Sequence, residues 1–131
     1  MKFYQQTQMH DPDNDVIGNC LRACIATVLQ VDINEFPAFE QQPRYMSEDW
    51  REVVDEYLAL YGKRMKFLPP TSLPSGYSII SGRTNRFGGE VLHSCVAFNG
   101  VMVFDPHPTH AGLKDVRDYI VLEEMCQGGA S

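Results

Sequence analysis

The stretch 18-GNCLRACIATVL-29 decides how the rest of this chain is read. Asn19 is a good helix N-cap, and behind it Leu21, Ile25, Val28 and Leu29 form an apolar stripe at helical spacing. Ala23 and Ala26 let a neighbouring element approach closely. The spacing predicts an amphipathic helix whose first residue is Cys20, with Cys24 one turn further in. A thiol in the first helical turn lies beside backbone N–H groups that lack intrahelical acceptors and at the positive end of the helix dipole, both of which favour thiolate. Cys24 loses most of that effect and reads as a small packing group.

Outward from this helix, the N-terminal side begins with Met1 to Gln8, read as a short edge strand, followed by the turn formers of HDPDNDVIG. On the C-terminal side, Asp32 and Glu35 look like a capping box for one turn that Pro37 ends. Ser47 is then expected to cap a longer helix that buries Trp50, Val53, Val54, Tyr57, Leu58 and Tyr61 and stops at Gly62. Beyond it the pattern becomes that of strands: Arg64 to Leu68, Tyr77 to Ser81, Val91 to Phe98, Val101 to Asp105 and Tyr119 to Glu123. The segments PPTSLPSG, GRTNRFGG, NG and DPHPTHAG separate them, GRTNRFGG being the expected mobile loop. Helices followed by an antiparallel sheet predict an α+β fold. The 131 residues, 44% of them hydrophobic, suit one domain over 1–131 with one core.

Charge and cysteine usage narrow the function classes. A net charge of -6 with scattered Lys and Arg offers no basic field for a phosphate backbone, so no nucleic-acid partner is expected. No window reaches the 18 apolar residues of a membrane span, and MKFYQQTQMHDPDND has no apolar signal core. The expectation is therefore a cytoplasmic protein without membrane attachment, whose four cysteines are reduced.

A reactive thiol needs a base, and the base needs a group that fixes its tautomer. His93 and Asp105 lie on the two arms of the candidate hairpin LHSCVAFNGVMVFDP and fit those roles. Cys95 and Cys126 read as packing residues; His107 and His110 read as surface or local hydrogen-bonding residues of a proline-rich loop, with substrate contact left open. Two other arrangements are compatible with the residues: Cys20, Cys24, His93 and Cys95 converging on zinc in a small metal-binding protein, or the same groups standing idle in a binding module.

The segments NCLRACIATVL and HSCVAFNGVMVFDP resemble the nucleophile helix and the His strand, hairpin and Asp-Pro segment of the C39-like branch of papain-like cysteine peptidases. The chain is also similar to small prokaryotic and phage proteins with GNC, ACxA and DPHPxxxGL signatures, here Gly18 to Cys20, Ala23 to Ala26 and Asp105 to Leu113. The resemblance implies a papain-like fold, with the nucleophile helix packed on a C-terminal antiparallel sheet. It implies a cysteine-dependent hydrolase, a peptidase, isopeptidase or amidase, that forms an acyl-enzyme on a peptide or protein substrate without metal or other cofactor. Cys20, His93 and Asp105 would be the triad. Papain-like enzymes place a Gln upstream of the nucleophile as an oxyanion donor, and among Gln5, Gln6 and Gln8 that role falls to Gln6.

Asn99-Gly100 couples the fold to this chemistry. A two-residue type I′ turn would pair Phe98 with Val101 and, continued outward, put Ser94 opposite Asp105, so that His93 and Asp105 point to opposite faces. The dyad requires either a three-residue loop that pairs Ala97 with Val101 or an equivalent irregularity further out. The three-residue form would set Cys95, Ala97, Val101 and Val103 on the dyad's face and pack Val96, Phe98, Met102 and Phe104 on the other.

Overall fold

The computed structural model describes residues 1–14, 17–84 and 92–125. Residues 85–89 of the expected loop GRTNRFGG, Val91 at the expected start of its strand, and Cys126 lie outside the described residues. The elements run α1 (Cys20–Leu29), α2 (Pro43–Ser47), α3 (Trp50–Leu58), β1 (Lys63–Leu68), β2 (Tyr77–Arg83), β3 (Leu92–Phe98), β4 (Val101–Phe104) and β5 (Asp115–Glu124). Short 3-10 turns occur at Pro12–Asn14, Phe39–Gln41 and Ala59–Tyr61. The strands form one antiparallel sheet in the order β1-β5-β2-β3-β4, so the fold is mixed α+β.

Helix α1 is the centre of the packing. Leu21, Cys24 and Ile25 join Val53, Val54 and Leu58 of α3 and Ile79, Val96 and Ile120 of the sheet in the main core, as the stripe requires. Ala23 and Ala26, on a different side of α1, pack with Ile33 and Tyr4. Met1 to Gln8 is therefore a strap laid on this helix and not the edge strand expected from its sequence. Lys2 N–H donates to Gln30 Oε1, at the C-cap of α1, at 2.9 Å and Tyr4 N–H to Thr27 Oγ1 of α1 at 2.9 Å, contacts to side chains and not to a ladder.

The start of α3 also differs from expectation. Ser47 ends α2, a turn begun by Pro43 that the pattern did not predict, and its hydroxyl bonds back to the Pro43 carbonyl. Asp49 is the cap, accepting from Arg51 N–H at 3.0 Å. Glu48 leaves helical geometry between the two, which is why the capping residue shifts two places. At Asp32 the side chain accepts from Asn34 N–H at 2.8 Å, an Asx turn in place of the expected capping box. Tyr61 is more exposed than a core residue but stacks on Phe36 with ring centroids 5.2 Å apart.

The β3–β4 hairpin settles the register question. Asn99 and Gly100 have φ of 51° and 82°, and Phe98 pairs with Val101 and Ala97 with Met102, so the turn has two residues and the three-residue loop is not formed. Val96 pairs with Phe104 next, leaving Val103 as an extra residue in a bulge. That bulge is the irregularity further out. Continued one step, it sets Asp105 opposite Cys95 and in the same alternation as His93. It also exchanges Val101 and Met102 between faces relative to the expected arrangement; Phe98 and Met102 are exposed where packing was anticipated, and Val101 and Val103 are exposed as well.

A second irregularity lies between Ser81 and Gly82, where β2 shifts register against β5. A Cβ built on Gly82 would stand 1.8 Å from the Asp115 carbonyl oxygen, so this crossing admits no side chain. Gly82→Ala is expected to cost about 1–3 kcal/mol, read as a lowered urea midpoint, as β2 and β5 move apart. An unchanged midpoint would show that the crossing yields without cost.

Candidate active site

Cys20 opens α1, and Asn19 precedes it at the cap position, yet the Asn19 side chain makes no capping bond. It turns outward to the N-terminal strap. Its Oδ1 accepts from Thr7 N–H at 3.0 Å and Gln8 N–H at 3.1 Å, and its Nδ2 donates to Thr7 Oγ1 at 2.7 Å. Asn19 N–H donates in turn to the Gln8 carbonyl at 3.0 Å. The strap thus passes so close to Gly18 that a Cβ there would lie 2.8 Å from the His10 backbone nitrogen. The Gly-Asn before the cysteine is a clasp between the strap and the start of α1.

The clasp holds Gln6, which is buried and donates its backbone N–H to the Pro106 carbonyl at 3.0 Å. Its Nε2 donates one hydrogen to the Gln8 carbonyl at 3.0 Å, and its Oε1 is buried without a partner among the described residues. Gln6 lines the same cavity as Cys20 and His93.

His93 and Asp105 are both buried, and His93 Nε2–H donates to Asp105 Oδ1 at 2.6 Å. Asp105 also accepts from His107 N–H at 2.9 Å and, on Oδ2, from Gly112 N–H at 2.7 Å. Burial acts to raise its pKa, but the bond from His93 and the two backbone donors hold the carboxyl far below its ordinary range. His93 behaves oppositely: burial works against its charge, while Asp105, Cys20 and Cys95 push its pKa up to about 11. With Nε2 committed to Asp105, Nδ1 is the nitrogen left to exchange a proton with a thiol.

Two thiols, Cys20 and Cys95, interact with this imidazole, a third, Cys24, lies near both, and the three differ. Burial opposes ionisation of Cys20, yet its pKa is lowered, because His93 bonds to it and the N–H groups of Ser94 and Leu21 support the thiolate. Cys24 and Cys95 are fully buried and both are pushed up by desolvation. Only Cys20 is partly exposed among the free cysteines described. Among the described residues, the grouped atoms that could ligate a metal, within 4.8 Å of one another, belong to His93, Cys95 and Asp105, and this group leaves out Cys20 and Cys24 of the four-residue zinc set. His107 lines the cavity and His110 Nδ1–H donates to the Asp105 carbonyl at 2.9 Å, so both buttress the Asp105 loop.

The cavity has a volume of about 330 Å³. Its walls include Trp50, read from sequence as ordinary core, and residues with no sequence signal at all: Phe39, Tyr45 and Phe67. Arg22 and Glu40 form a buried ion pair at 3.1 Å beside it, Arg22 donating also to the Ile33 carbonyl at 2.8 Å. Burial raises the Glu40 pKa against the pull of Arg22. The partners stand 18 positions apart in the chain and follow no motif, so only the fold reveals the pair. Comparisons with protein-family models, with curated proteins and with solved structures give no match. No described helix is long and apolar enough to cross a membrane.

Two outcomes are expected. Iodoacetamide should alkylate Cys20 before Cys24 and Cys95, with a pH midpoint below the about 8.5 of a free thiol. Because the shift is downward, the thiolate and its reactivity persist as pH falls until the lowered pKa is crossed. His93→Ala should move the midpoint up, and peptide mapping that finds Cys95 labelled first would remove Cys20 from its role. Asn19→Ala leaves two strap N–H groups without acceptors and should cost about 1–3 kcal/mol, with faster amide exchange at Thr7 and Gln8. Unaltered exchange at those two amides would show that the clasp does not hold the strap.

Proposed function

We propose that this protein is a cysteine-dependent hydrolase of papain-like design, acting through an acyl-enzyme on an amide or related acyl bond of a peptide or protein. The observation that carries the reading is the alignment of a helix-N-terminal thiol of lowered pKa with an imidazole held by a buried carboxylate. The order Cys, His, Asp along the chain and the resemblance of the nucleophile helix agree with it.

The residues divide the work as follows. Cys20 Sγ attacks the carbonyl carbon, and the developing oxyanion is met by Cys20 N–H, which has no intrahelical acceptor, and by the second N–H of Gln6 Nε2. The imidazolium of His93 gives its proton to the leaving nitrogen, which departs as the thioester forms. His93, now neutral, takes a proton from water as it attacks the thioester, and returns that proton to Sγ or keeps it as the ion pair re-forms. Asp105 holds the ring and stabilises its charged form throughout.

The test is acyl-enzyme trapping. With a panel of activated acyl esters and peptidyl amides quenched in acid, the wild-type chain should carry an acyl adduct on Cys20, and Cys20→Ala none. Asp105→Asn should turn over about 10²- to 10⁴-fold more slowly. A wild-type chain that alkylates at Cys20 yet neither acylates nor turns over any member of the panel would establish the idle binding module instead.

A further inference from the structure

We infer that the cavity beside Cys20 receives the side chain on the acyl side of the scissile bond and selects a bulky apolar, above all aromatic, residue there; this rests on the nucleophile reading proposed above. The thiol and His93 stand on the cavity wall itself, so whatever is attached to the attacked carbonyl has this space as its nearest enclosure. The wall carries four aromatic rings, from Phe39, Tyr45, Trp50 and Phe67, with Leu21 and Ile120. These rings form a chain of contacts: Phe39 to Tyr45 at 5.7 Å, Tyr45 to Trp50 at 6.3 Å and Trp50 to Phe67 at 6.0 Å. Arg51 stacks on the last two, 5.8 Å from the Trp50 ring and 4.8 Å from the Phe67 ring, and holds them in place.

Size and lining restrict the occupant. A volume of about 330 Å³ is at the small end of ligand pockets, enough for one large side chain and too little for an extended peptide. Glycine would leave the rings facing water and gain nothing from them. A charged side chain would be desolvated among them. Glu40 gives Oε1 to Arg22, while its Oε2 is buried without a partner among the described residues, so a cationic side chain is the competing occupant that the lysine probe below tests. A long unbranched alkyl chain would run against Arg51, Arg117 and Asp118, which also line the space, whereas a ring meets rings.

The experiment uses chloromethyl ketones of N-acetyl-glycine, N-acetyl-phenylalanine and N-acetyl-lysine, in which a carbon–sulfur bond forms at Cys20 as chloride leaves. Labelling rates are read by intact mass and divided by the iodoacetamide rate of the same sample. The phenylalanine probe should label Cys20 at least about tenfold faster than the glycine probe, and the lysine probe no faster than glycine. Tyr45→Ala should erase the preference and Tyr45→Phe keep it. If iodoacetamide itself fails to prefer Cys20, the nucleophile reading falls; if iodoacetamide prefers Cys20 but the three probes label equally, the pocket assignment alone falls. Trp50 is the single tryptophan, so binding is also read without any covalent step. In Cys20→Ala, N-acetyl-phenylalaninamide should change its emission saturably and N-acetyl-glycinamide should not; equal responses would overturn the assignment even if Tyr45→Ala does not fold.

Discussion

A carboxylate with no exposed side-chain surface must collect donors or give up its charge, and Asp105 collects three. Each comes from a different place. His93 is on β3, His107 stands immediately beyond the Asp-Pro step, and Gly112 lies across the loop toward β5. Satisfying this one group therefore closes the loop after β4, fixes the ring of His93 and keeps Pro106 where its carbonyl receives Gln6 N–H. Since the carboxyl is depressed by these donors, the stability they supply is present above the ordinary carboxyl range and is lost as pH falls through the lowered value.

The second constraint is the strap. A segment of eight residues with no ladder partner would be loose, but the N–H groups of Lys2, Tyr4, Thr7 and Gln8 are taken by Asn19, Thr27 and Gln30, three side chains on or bordering α1, and that of Gln6 by the Pro106 carbonyl. That use of Asn19 has a price in local capping: the helix forgoes the side-chain bond to its own first turn. The forgone cap leaves the N–H groups of the first turn turned toward the thiol, where Leu21 N–H supports the charge on Cys20. An asparagine that capped in the ordinary way would compete for the same donors.

What could be read from the sequence follows local rules, and what could not depends on contacts between distant segments. Helix α1 was legible because its stripe, its alanines and its cap position agree; so was the pairing of His93 with Asp105, since one hairpin carries both. The bulge at Val103 was legible only as a requirement, because nothing in VMVFD distinguishes the extra residue from its neighbours. Ser47 misled because the chain breaks helical geometry at Glu48, which no nearby proline or glycine announces. Met1 to Gln8 misled because a short mixture of polar and apolar residues suits a strap across a helix as well as a strand. Phe39, Tyr45 and Phe67 carry no signal, since an aromatic residue on a cavity wall has the same sequence pattern as one in the core.

The three thiols show why position and not residue type sets the chemistry. All feel His93 or its neighbours, and burial acts on each to keep the proton. Cys95 has the imidazole but no helix terminus, and its desolvation wins. Cys24 is on the same helix as Cys20, one turn deeper, where the backbone N–H groups are already committed to carbonyls and the nearby charges are negative. Cys20 alone combines the imidazole with two backbone donors, one from its own helix and one from Ser94 on β3. That second donor exists only because α1 lies against β3, so the packing that makes the core is also what tips this thiol toward its charged form.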